Sequence, residues 1–479
     1  MTVWRASRIA TIAILFLICL SCGDTFRPVA IPLPPKPPDP GGFHYVLAIS
    51  TNGPGNPGGS TRVDVSGDTN VGVATIGVGP AHAALLPNSS RVYIANAVES
   101  SVSSYVPTSQ TLVTTTSLPA GSIPSFVGTT ESSTVYVANS GNGTVVAISA
   151  GTNVITDTIC LTVIPIGTPC PTDPVPVALA ETPDAKRLYV ANQGNNTVTS
   201  INPGDKTVRA TIVDPNIVAP VWVVVRSDSA RAYVLSSGSG MISTIDTSSD
   251  TVLNSVAVDP GANFMFYDQH GNRLYVTNPT TTVVRSFNVS GDIPIPLATI
   301  DLSAGPNAPC PSGCSPVSLA MLPDDTRLYV ASYQLVTLAP PCNPYDSSDT
   351  NPCGGISSEV AVVNAADNSI KTSIPLGTTW VDTHNPTGCT TNTSGMPVAR
   401  FRLSVAAAND SSRVYIGKCD AGNVAVINTV SGSDSLVSLN GVGVGANAGI
   451  DTPLSAFPPQ QPAGGQPPTQ NPVFVLVGP

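Results

Sequence analysis

The sequence predicts an all-β fold, a single β-propeller of four-stranded blades, and three observations support this. Short Val- and Thr-rich runs alternate with Gly, Pro, Asn and Asp, which is the pattern of short strands joined by tight turns. A tyrosine-bearing segment recurs at steps of 42 to 54 residues, with one longer step of 86. No stretch of any length has the apolar spacing of an amphipathic helix.

The recurring segment follows the pattern Arg, apolar, Tyr, apolar, small, Asn. Arg187-Leu-Tyr-Val-Ala-Asn192 and Arg273-Leu-Tyr-Val-Thr-Asn278 are two of its copies. A disordered chain does not repeat an apolar segment at such regular intervals, so the 47 Pro and 41 Gly belong mainly to turns, loops and flanks. The repeated tyrosines are Tyr45, Tyr93, Tyr136, Tyr189, Tyr233, Tyr275, Tyr329 and Tyr415.

Residues 176–213 illustrate one unit, in which four short strands alternate with Pro-, Gly-, Asn- and Asp-containing turns. Its second strand is apolar on both faces. Leu188 and Val190 lie on one face, and Tyr189 and Ala191 lie on the other. A single four-stranded unit leaves both faces uncovered, whereas units packed around a closed ring bury them and remove exposed ends.

This unit resembles the YVTN β-propeller repeat, whose name is matched by Tyr275-Val-Thr-Asn278. The similarity covers residues 44–440. The family occurs in prokaryotic surface and exported proteins, so the resemblance implies a propeller fold and export. It implies little about activity, because propellers host many functions.

The number of blades follows from counting units. Seven complete units run from Pro80 to about Leu439, and residues 44–77 supply strands two to four of another. Either 453–456 or 472–477 can supply the missing strand and close a ring of eight blades, which we favour. A seven-bladed ring, with the end segments packed outside it, stays open.

Residues 1–21 have the features of a signal peptide. Arg5 and Arg8 precede the apolar stretch Ile9 to Leu20, which is too short to predict a membrane-spanning helix. Such a segment directs a chain out of the cytoplasm, so residues 43–479 are expected to fold as the propeller after export.

The end of the apolar stretch, Cys19-Leu20-Ser21-Cys22-Gly23, resembles the lipobox of bacterial lipoproteins. Ser21 and Cys22 match that pattern, whereas Cys19 and Leu20 depart from it. The resemblance implies lipidation of Cys22; an ordinary secretory signal cleaved nearby is the alternative. Residues 22–42 would then form the lipidated cysteine and a stiff, Pro-rich tether.

The predicted location is the cell envelope. A lipid on Cys22 would hold the protein to a membrane, as an outer-membrane or periplasmic lipoprotein, with surface exposure left open.

The remaining cysteines indicate disulfides, because their number is even and most lie close together in an exported chain. Neighbour pairing gives 160–170, 310–314, 342–353 and 389–419, although the sequence leaves other pairings open. Zinc-type metal binding is disfavoured, since these cysteines include no CxxC pair and the chain has four His. The cysteines are Cys160, Cys170, Cys310, Cys314, Cys342, Cys353, Cys389 and Cys419.

Long insertions are expected on one face of the ring. Connections between blades at 159–175, 303–315 and 376–400 emerge on the same face as the connections between strands two and three at 51–59 and 333–357. Long ordered loops on a rigid frame usually carry binding. Neutral insertion into exposed loops is the alternative.

First strands line the centre of a propeller, so their residues are the candidates for a channel site. Aligning them nine residues before the repeated Arg, or its equivalent Thr134, gives one column with few titratable groups. We expect no catalytic constellation and no cofactor. His82 is interpreted as a structural residue, and Trp222 as core. The column is His82, Ser125, Ala178, Trp222, Phe264, Ser318 and Ser404, with Arg402 two residues before the last.

Composition narrows the function. The net charge is −10 and only 20 Lys and Arg are present, so the chain lacks the basic footprint of a nucleic-acid-binding protein. The sequence favours a binding or surface-structural module that contacts an unidentified protein or cell-surface partner. An exported propeller enzyme, either lactonase-like or a cofactor-dependent dehydrogenase, stays the alternative.

Overall fold

The computed structural model describes 44–52, 55–129, 133–162, 168–305, 307–339, 353–381, 389, 400–432, 434–437 and 471–478. In this part of the chain, eight antiparallel four-stranded sheets account for the strands. Successive first strands contact one another in a closed cycle. The predicted all-β, eight-bladed propeller is therefore confirmed. The predicted signal peptide, Cys22, the tether and Cys342 lie outside the described residues.

Each blade runs from an inner first strand to an outer fourth strand. Blade 1 consists of β32 (Asn471–Val477), β1 (Tyr45–Thr51), β2 (Pro57–Asp64) and β3 (Thr69–Val78). Blade 2 consists of β4 (Pro80–Leu85), β5 (Val92–Asn96), β6 (Ser101–Val106) and β7 (Thr111–Ser117). Blade 3 consists of β8 (Pro124–Thr129), β9 (Thr134–Asn139), β10 (Thr144–Ser149) and β11 (Ile155–Cys160), and blade 4 of β12 (Pro176–Glu181), β13 (Leu188–Asn192), β14 (Thr197–Asn202) and β15 (Thr207–Ile212).

The second half of the ring repeats the same order. Blade 5 consists of β16 (Pro220–Val225), β17 (Arg231–Ser236), β18 (Met241–Asp246) and β19 (Thr251–Ala257), and blade 6 of β20 (Phe264–Asp268), β21 (Arg273–Thr277), β22 (Val283–Asn288) and β23 (Ile295–Asp301). Blade 7 consists of β24 (Ser315–Met321), β25 (Arg327–Leu338), β26 (Cys353–Asn364) and β27 (Ile370–Val381). Blade 8 consists of β28 (Leu403–Ala407), β29 (Arg413–Lys418), β30 (Asn423–Asn428) and β31 (Ser435–Leu436), with a 3-10 turn at Val430–Gly432. Among the described residues, no helix has the length and apolar character needed to cross a membrane.

The C-terminal strand β32 closes the ring. It pairs antiparallel with β1, for example Val46 with Val477, and so occupies the inner position of blade 1. It also contacts the first strands of blades 2 and 8. Of the two segments proposed for this role, the structure selects 472–477, while 453–456 lies outside the described residues.

The repeated tyrosines lie between blades, with side chains that are essentially fully buried. The hydroxyl of Tyr189 donates to Asp250 Oδ1 of the next blade at 2.7 Å. Arg209 Nε donates to Asp250 Oδ2 at 2.6 Å. Asp250 sits in the turn between β18 and β19 with a positive φ of 57°, which turns its carboxylate back toward the preceding blade.

Other blades repeat this inter-blade contact. Tyr415 donates to Asp68 across the seam between blades 8 and 1, Tyr329 donates to Asp434 of blade 8, and Tyr93 donates to Asn153 of blade 3. In these four blades, the tyrosine of the motif combines apolar burial with a polar contact to the neighbouring blade.

The final Asn of the motif holds the turn between strands two and three. Asn192 Nδ2 donates to Thr197 Oγ1 at 3.0 Å and to Thr199 Oγ1 at 2.8 Å. Asn96 makes the same pair of contacts with serines of β6. The amide N–H groups of these buried asparagines therefore find hydroxyl acceptors at the end of the second strand.

Two predicted loops are partly strand. The expected loops 333–357 and 376–400 were wrong in part, because the long strands β25, β26 and β27 extend into them. The ladder continues from Tyr333 opposite Ser358 to Leu338 opposite Cys353. Blade 7 is therefore longer than its neighbours on this side, because pairing between its strands satisfies backbone groups that a loop would leave open.

We expect Asp250→Ala to lower the free energy of unfolding by about 3 kcal/mol, because it leaves Arg209 and the Tyr189 hydroxyl without a buried acceptor. Urea unfolding of the purified propeller measures the loss. The control is Asp205→Ala in the equivalent turn of blade 4, where the acid is solvent-exposed and a much smaller loss is expected. Equal losses in the two variants would contradict a stabilising role for the inter-blade contact.

Candidate binding site on the loop-bearing face

One face of the ring collects the connections between strands two and three and the connections between blades; we call it the loop-bearing face. Backbone bonds link the two classes of connection. Gln193 N donates to Val175 O at 3.1 Å, and Ser237 N donates to Ala219 O at 3.0 Å. The opposite, short-turn face carries the connections between strands one and two and between strands three and four.

Three cysteine pairs cross-link the loop-bearing face in the described residues. The Cα atoms are 5.3 Å apart in Cys160–Cys170 and 5.8 Å apart in Cys310–Cys314. The pair Cys389–Cys419, also at 5.8 Å, ties the connection between blades 7 and 8 to the turn after β29. These are three of the four neighbour pairs; the pair 342–353 involves Cys342, which lies outside the described residues.

Aromatic side chains fill the centre of the ring. Phe126 stacks on the His82 ring at 3.8 Å, and the Phe474 ring lies 4.6 Å from the same imidazole. The Trp222 ring meets the Phe264 ring edge-on at 4.9 Å. We call this set the aromatic cluster: His82, Phe126, Trp222, Phe264, Phe401 and Phe474.

The sequence alignment of first strands was wrong by one residue in blade 3. Phe126, and not Ser125, pairs with Ala138 and so occupies the column. The turn to the second strand is one residue shorter there, so a fixed offset of nine residues selects the wrong neighbour. Ser125 instead donates from Oγ to Pro176 O of the next blade at 2.8 Å.

His82 is buried in the aromatic cluster. Its Nδ1 lies 3.1 Å from the carbonyl oxygen of Val127, to which a proton on Nδ1 would be donated. Burial, followed by the positive charge of Arg400, lowers the pKa of His82 to about 3. At neutral pH the imidazole is therefore uncharged and packed against rings, which suits a structural role better than proton transfer.

Arg400 and Phe401, which the sequence analysis did not select, reach into the centre of the ring from the connection to β28. Arg400 donates from Nη1 to Val177 O at 2.7 Å and from Nη2 to Val221 O, bridging blades 4 and 5. Its guanidinium carbon lies 4.4 Å from the centroid of Trp222. Burial lowers the pKa of Arg400 to about 9, which leaves it protonated at neutral pH.

Arg402, the arginine that the sequence did select, is held within the protein. Its Nη1 lies 3.1 Å from an oxygen of Asp420, and its guanidinium sits 5.2 Å from the centroid of Tyr333. Burial raises the pKa of Asp420, and the charge of Arg402 opposes that rise. The sequence could have pointed to Arg400 only through its position near the start of a first strand, a signal that Arg402 shares.

A cavity of about 450 Å³ opens above the aromatic cluster. Its walls come from the starts of first strands and from the turns after second strands in blades 2 to 6, which places it on the loop-bearing face. The lining residues are Ala81, Ala97, Ile123, Pro124, Ser125, Ser140, Val177, Gln193, Val221, Ser237, Asn263, Arg400 and Phe401.

Among the described residues, a cluster of metal-ligand side chains lies on the short-turn face. Atoms of Asp268, His270 and Asp325 lie within 4.8 Å of one another. Asp268 Oδ1 already accepts the backbone N–H groups of His270 and Gly271 at 3.1 Å, so this carboxylate holds its own turn. The arrangement is typical of turn chemistry between neighbouring blades.

Glu359 on β26 is a second titratable group that the sequence analysis did not select. Burial raises the pKa of its carboxyl to about 7. Its neighbours across the strands are Ser332 and Pro375. A carboxyl with this pKa exchanges a proton near neutrality, although Glu359 does not line the cavity.

We expect His82→Phe to reduce the fall in the free energy of unfolding that accompanies a decrease in pH below about 6.5. Because the pKa of folded His82 is below that of the unfolded residue, the wild type loses stability as the pH falls below about 6.5, toward 3. Between pH 7 and pH 4 the extra loss is about 2–3 kcal/mol, and His82→Phe should not show it. Urea unfolding at a series of pH values measures both slopes; parallel slopes would contradict a neutral, buried imidazole.

Comparisons with known proteins support the fold. No protein-family model matches the chain, and no curated protein matches it in sequence. The solved dihydro-heme d1 dehydrogenase NirN in complex with DHE is 11% identical, with a TM-score of 0.56 over 81% of this chain and 72% of that one. A proposed 6-phosphogluconolactonase from Bacteroides uniformis is 14% identical, with a TM-score of 0.50 over 71% and 99% of the two chains. At these identities the likeness concerns the fold alone, and the chain is an eight-bladed β-propeller.

Proposed function

We propose that this protein is an exported, membrane-anchored β-propeller that acts as a binding module through its loop-bearing face. The observation that carries the proposal is the contrast between the two parts of the ring centre. The aromatic cluster fills the interior, whereas the loop-bearing face above it holds an open cavity and three cross-linked loops.

The filled centre argues against chemistry inside the ring. His82 is held neutral by burial, and Arg402 is paired with Asp420. In the described part of the chain, the cavity lining contains no carboxylate, histidine or cysteine. General acid–base or nucleophilic catalysis needs such groups close to the substrate.

The cross-linked loops support recognition. Disulfides hold exposed segments in fewer conformations, which lowers the entropy lost when a partner binds. The strands β25 and β26 of blade 7 extend farther on this side than those of the neighbouring blades, and Leu335 on β25 is 70% exposed. A paired strand extension with an exposed apolar side chain is suited to contact with a large partner.

The proposed anchor explains the Pro-rich stretch before the ring. A lipid on Cys22 would hold the chain at a membrane, and residues 22–42 would space the propeller from it. Three disulfide-capable pairs agree with an oxidising compartment. The propeller enzymes of similar fold keep an enzymatic role as the alternative; a bound chromophore in the absorption spectrum of the purified protein would favour it.

Replacing 340–352 by an Asn-Gly turn, with Cys353→Ser, is expected to abolish capture of the partner from an envelope extract. The strands β25 and β26 can still pair through a three-residue loop of Ala339, Asn and Gly between Leu338 and residue 353, so the ring should stay folded. Affinity capture with the lipidated protein, followed by mass spectrometry, measures the loss. The control is Lys186→Ala with Asp205→Ala on the short-turn face, which should capture as the wild type does. Unchanged capture by the loop variant would count against the proposal.

Removing the Cys389–Cys419 cross-link should destabilise the protein more than removing Cys310–Cys314. The two pairs close segments of 30 and 4 residues, and the entropy of closing a loop in the unfolded chain grows with its length. The Cys-to-Ser pairs should differ by about 2 kcal/mol in free energy of unfolding. Urea unfolding under non-reducing conditions gives both values, and a larger loss from the short segment would contradict this account.

A further inference from the structure

Arg400 differs from Arg402 and Arg209 in the way its charge is balanced. Arg402, two residues away, faces Asp420 at 3.1 Å, and Arg209 faces Asp250 at 2.6 Å. For Arg400, the acceptors among the described residues are the carbonyl oxygens of Val177 and Val221. Carbonyl dipoles and an aromatic face stabilise a guanidinium less than a carboxylate does.

The cavity presents this charge to the loop-bearing face. Among the described residues that line the cavity, Arg400 is the only charged one, although the protein as a whole has a net charge of −10. Burial lowers the pKa of Arg400, which means that the surroundings penalise its positive charge. A bound anion would relieve that penalty, because it supplies an opposite charge in a place of low dielectric constant.

The remaining lining defines the body of such a ligand. Ala97, Ile123 and Phe401 supply apolar wall, while Gln193 and Ser237 add polar groups at the turns after strands β13 and β17. A volume of about 450 Å³ lies within the range of small-molecule sites. The guanidinium has five N–H donors, and the two carbonyl contacts leave further donors for a forked oxyanion.

We propose that this cavity binds a small organic oxyanion, a carboxylate or phosphate ester with an apolar body, through the guanidinium of Arg400. The inference rests on the proposed function, since the cavity belongs to the loop-bearing face. It assigns to that face a small acidic ligand, or an acidic group of a larger partner inserted into the cavity.

Calorimetric titration of the mature protein with benzoate, phenyl phosphate and neutral benzamide tests the charge requirement. At least one anion should bind saturably and at least tenfold more tightly than benzamide, because a hydrogen-bonded charge pair is lost with the amide. Tighter binding of benzoate would identify a carboxylate site, and tighter binding of phenyl phosphate a phosphate ester site. Failure of both anions to bind, or equal binding of benzamide, would overturn the proposal.

Arg400→Gln should weaken binding of the preferred anion at least tenfold, whereas the matched Arg402→Gln should leave it within twofold. Emission from Trp222, next to the guanidinium, should change on binding in the wild type. If Arg400→Gln does not fold, Ala81→Phe decides the question, because it fills the cavity and leaves Arg400 in place. Anion binding that survives in the folded Arg400→Gln variant, or in Ala81→Phe, would overturn the proposal.

The capture experiment separates this inference from the proposed function. If the variant lacking 340–352 loses partner capture but the wild type binds no anion, the oxyanion site alone is rejected. If anion binding depends on Arg400 but the loop replacement leaves capture unaffected, the loops are rejected as the partner surface. The cavity then remains as the binding site.

Discussion

Burial of apolar surface between neighbouring blades is the constraint on which the structure depends. A four-stranded sheet with two apolar faces is stable only when both are covered, and each blade covers one face of the next. The repeated tyrosines lie in these seams, and several add a hydrogen bond to an acid in the following blade. The strand β32 completes the cycle, because without it the inner side of β1 would lack a partner.

A ring held in this way can vary its connections without losing its core. The long connections, the three cross-links and the cavity all lie on the loop-bearing face, while the short-turn face keeps tight turns with residues at positive φ. The aromatic cluster seals the space beneath the cavity. The fold therefore separates a frame of repeated blades from a face on which the connections differ in length, and one such frame can serve many functions.

The charge of Arg400 shows how the frame could define a ligand. The same stretch of chain places two arginines near the ring centre, one paired with Asp420 and one set between carbonyl groups above Trp222. Their sequence surroundings are similar, and only the folded ring shows which of them has an opposite charge beside it. The difference is electrostatic: among the described residues, Arg402 faces a carboxylate, whereas Arg400 faces carbonyl oxygens.

The sequence by itself determined most of the strands and the repeat, because these depend on local turn chemistry and on the periodic placement of apolar residues. It favoured eight blades over seven, and the pairing of β32 with β1 decided between them. The sequence did not determine the register of blade 3, where Phe126 replaces Ser125 in the inner column, or the length of the strands in blade 7. Register and strand length depend on pairing across the sheet. Only the tertiary structure brought Arg400 of blade 8 onto carbonyls of blades 4 and 5, because these residues are about 200 positions apart and meet only when the ring closes.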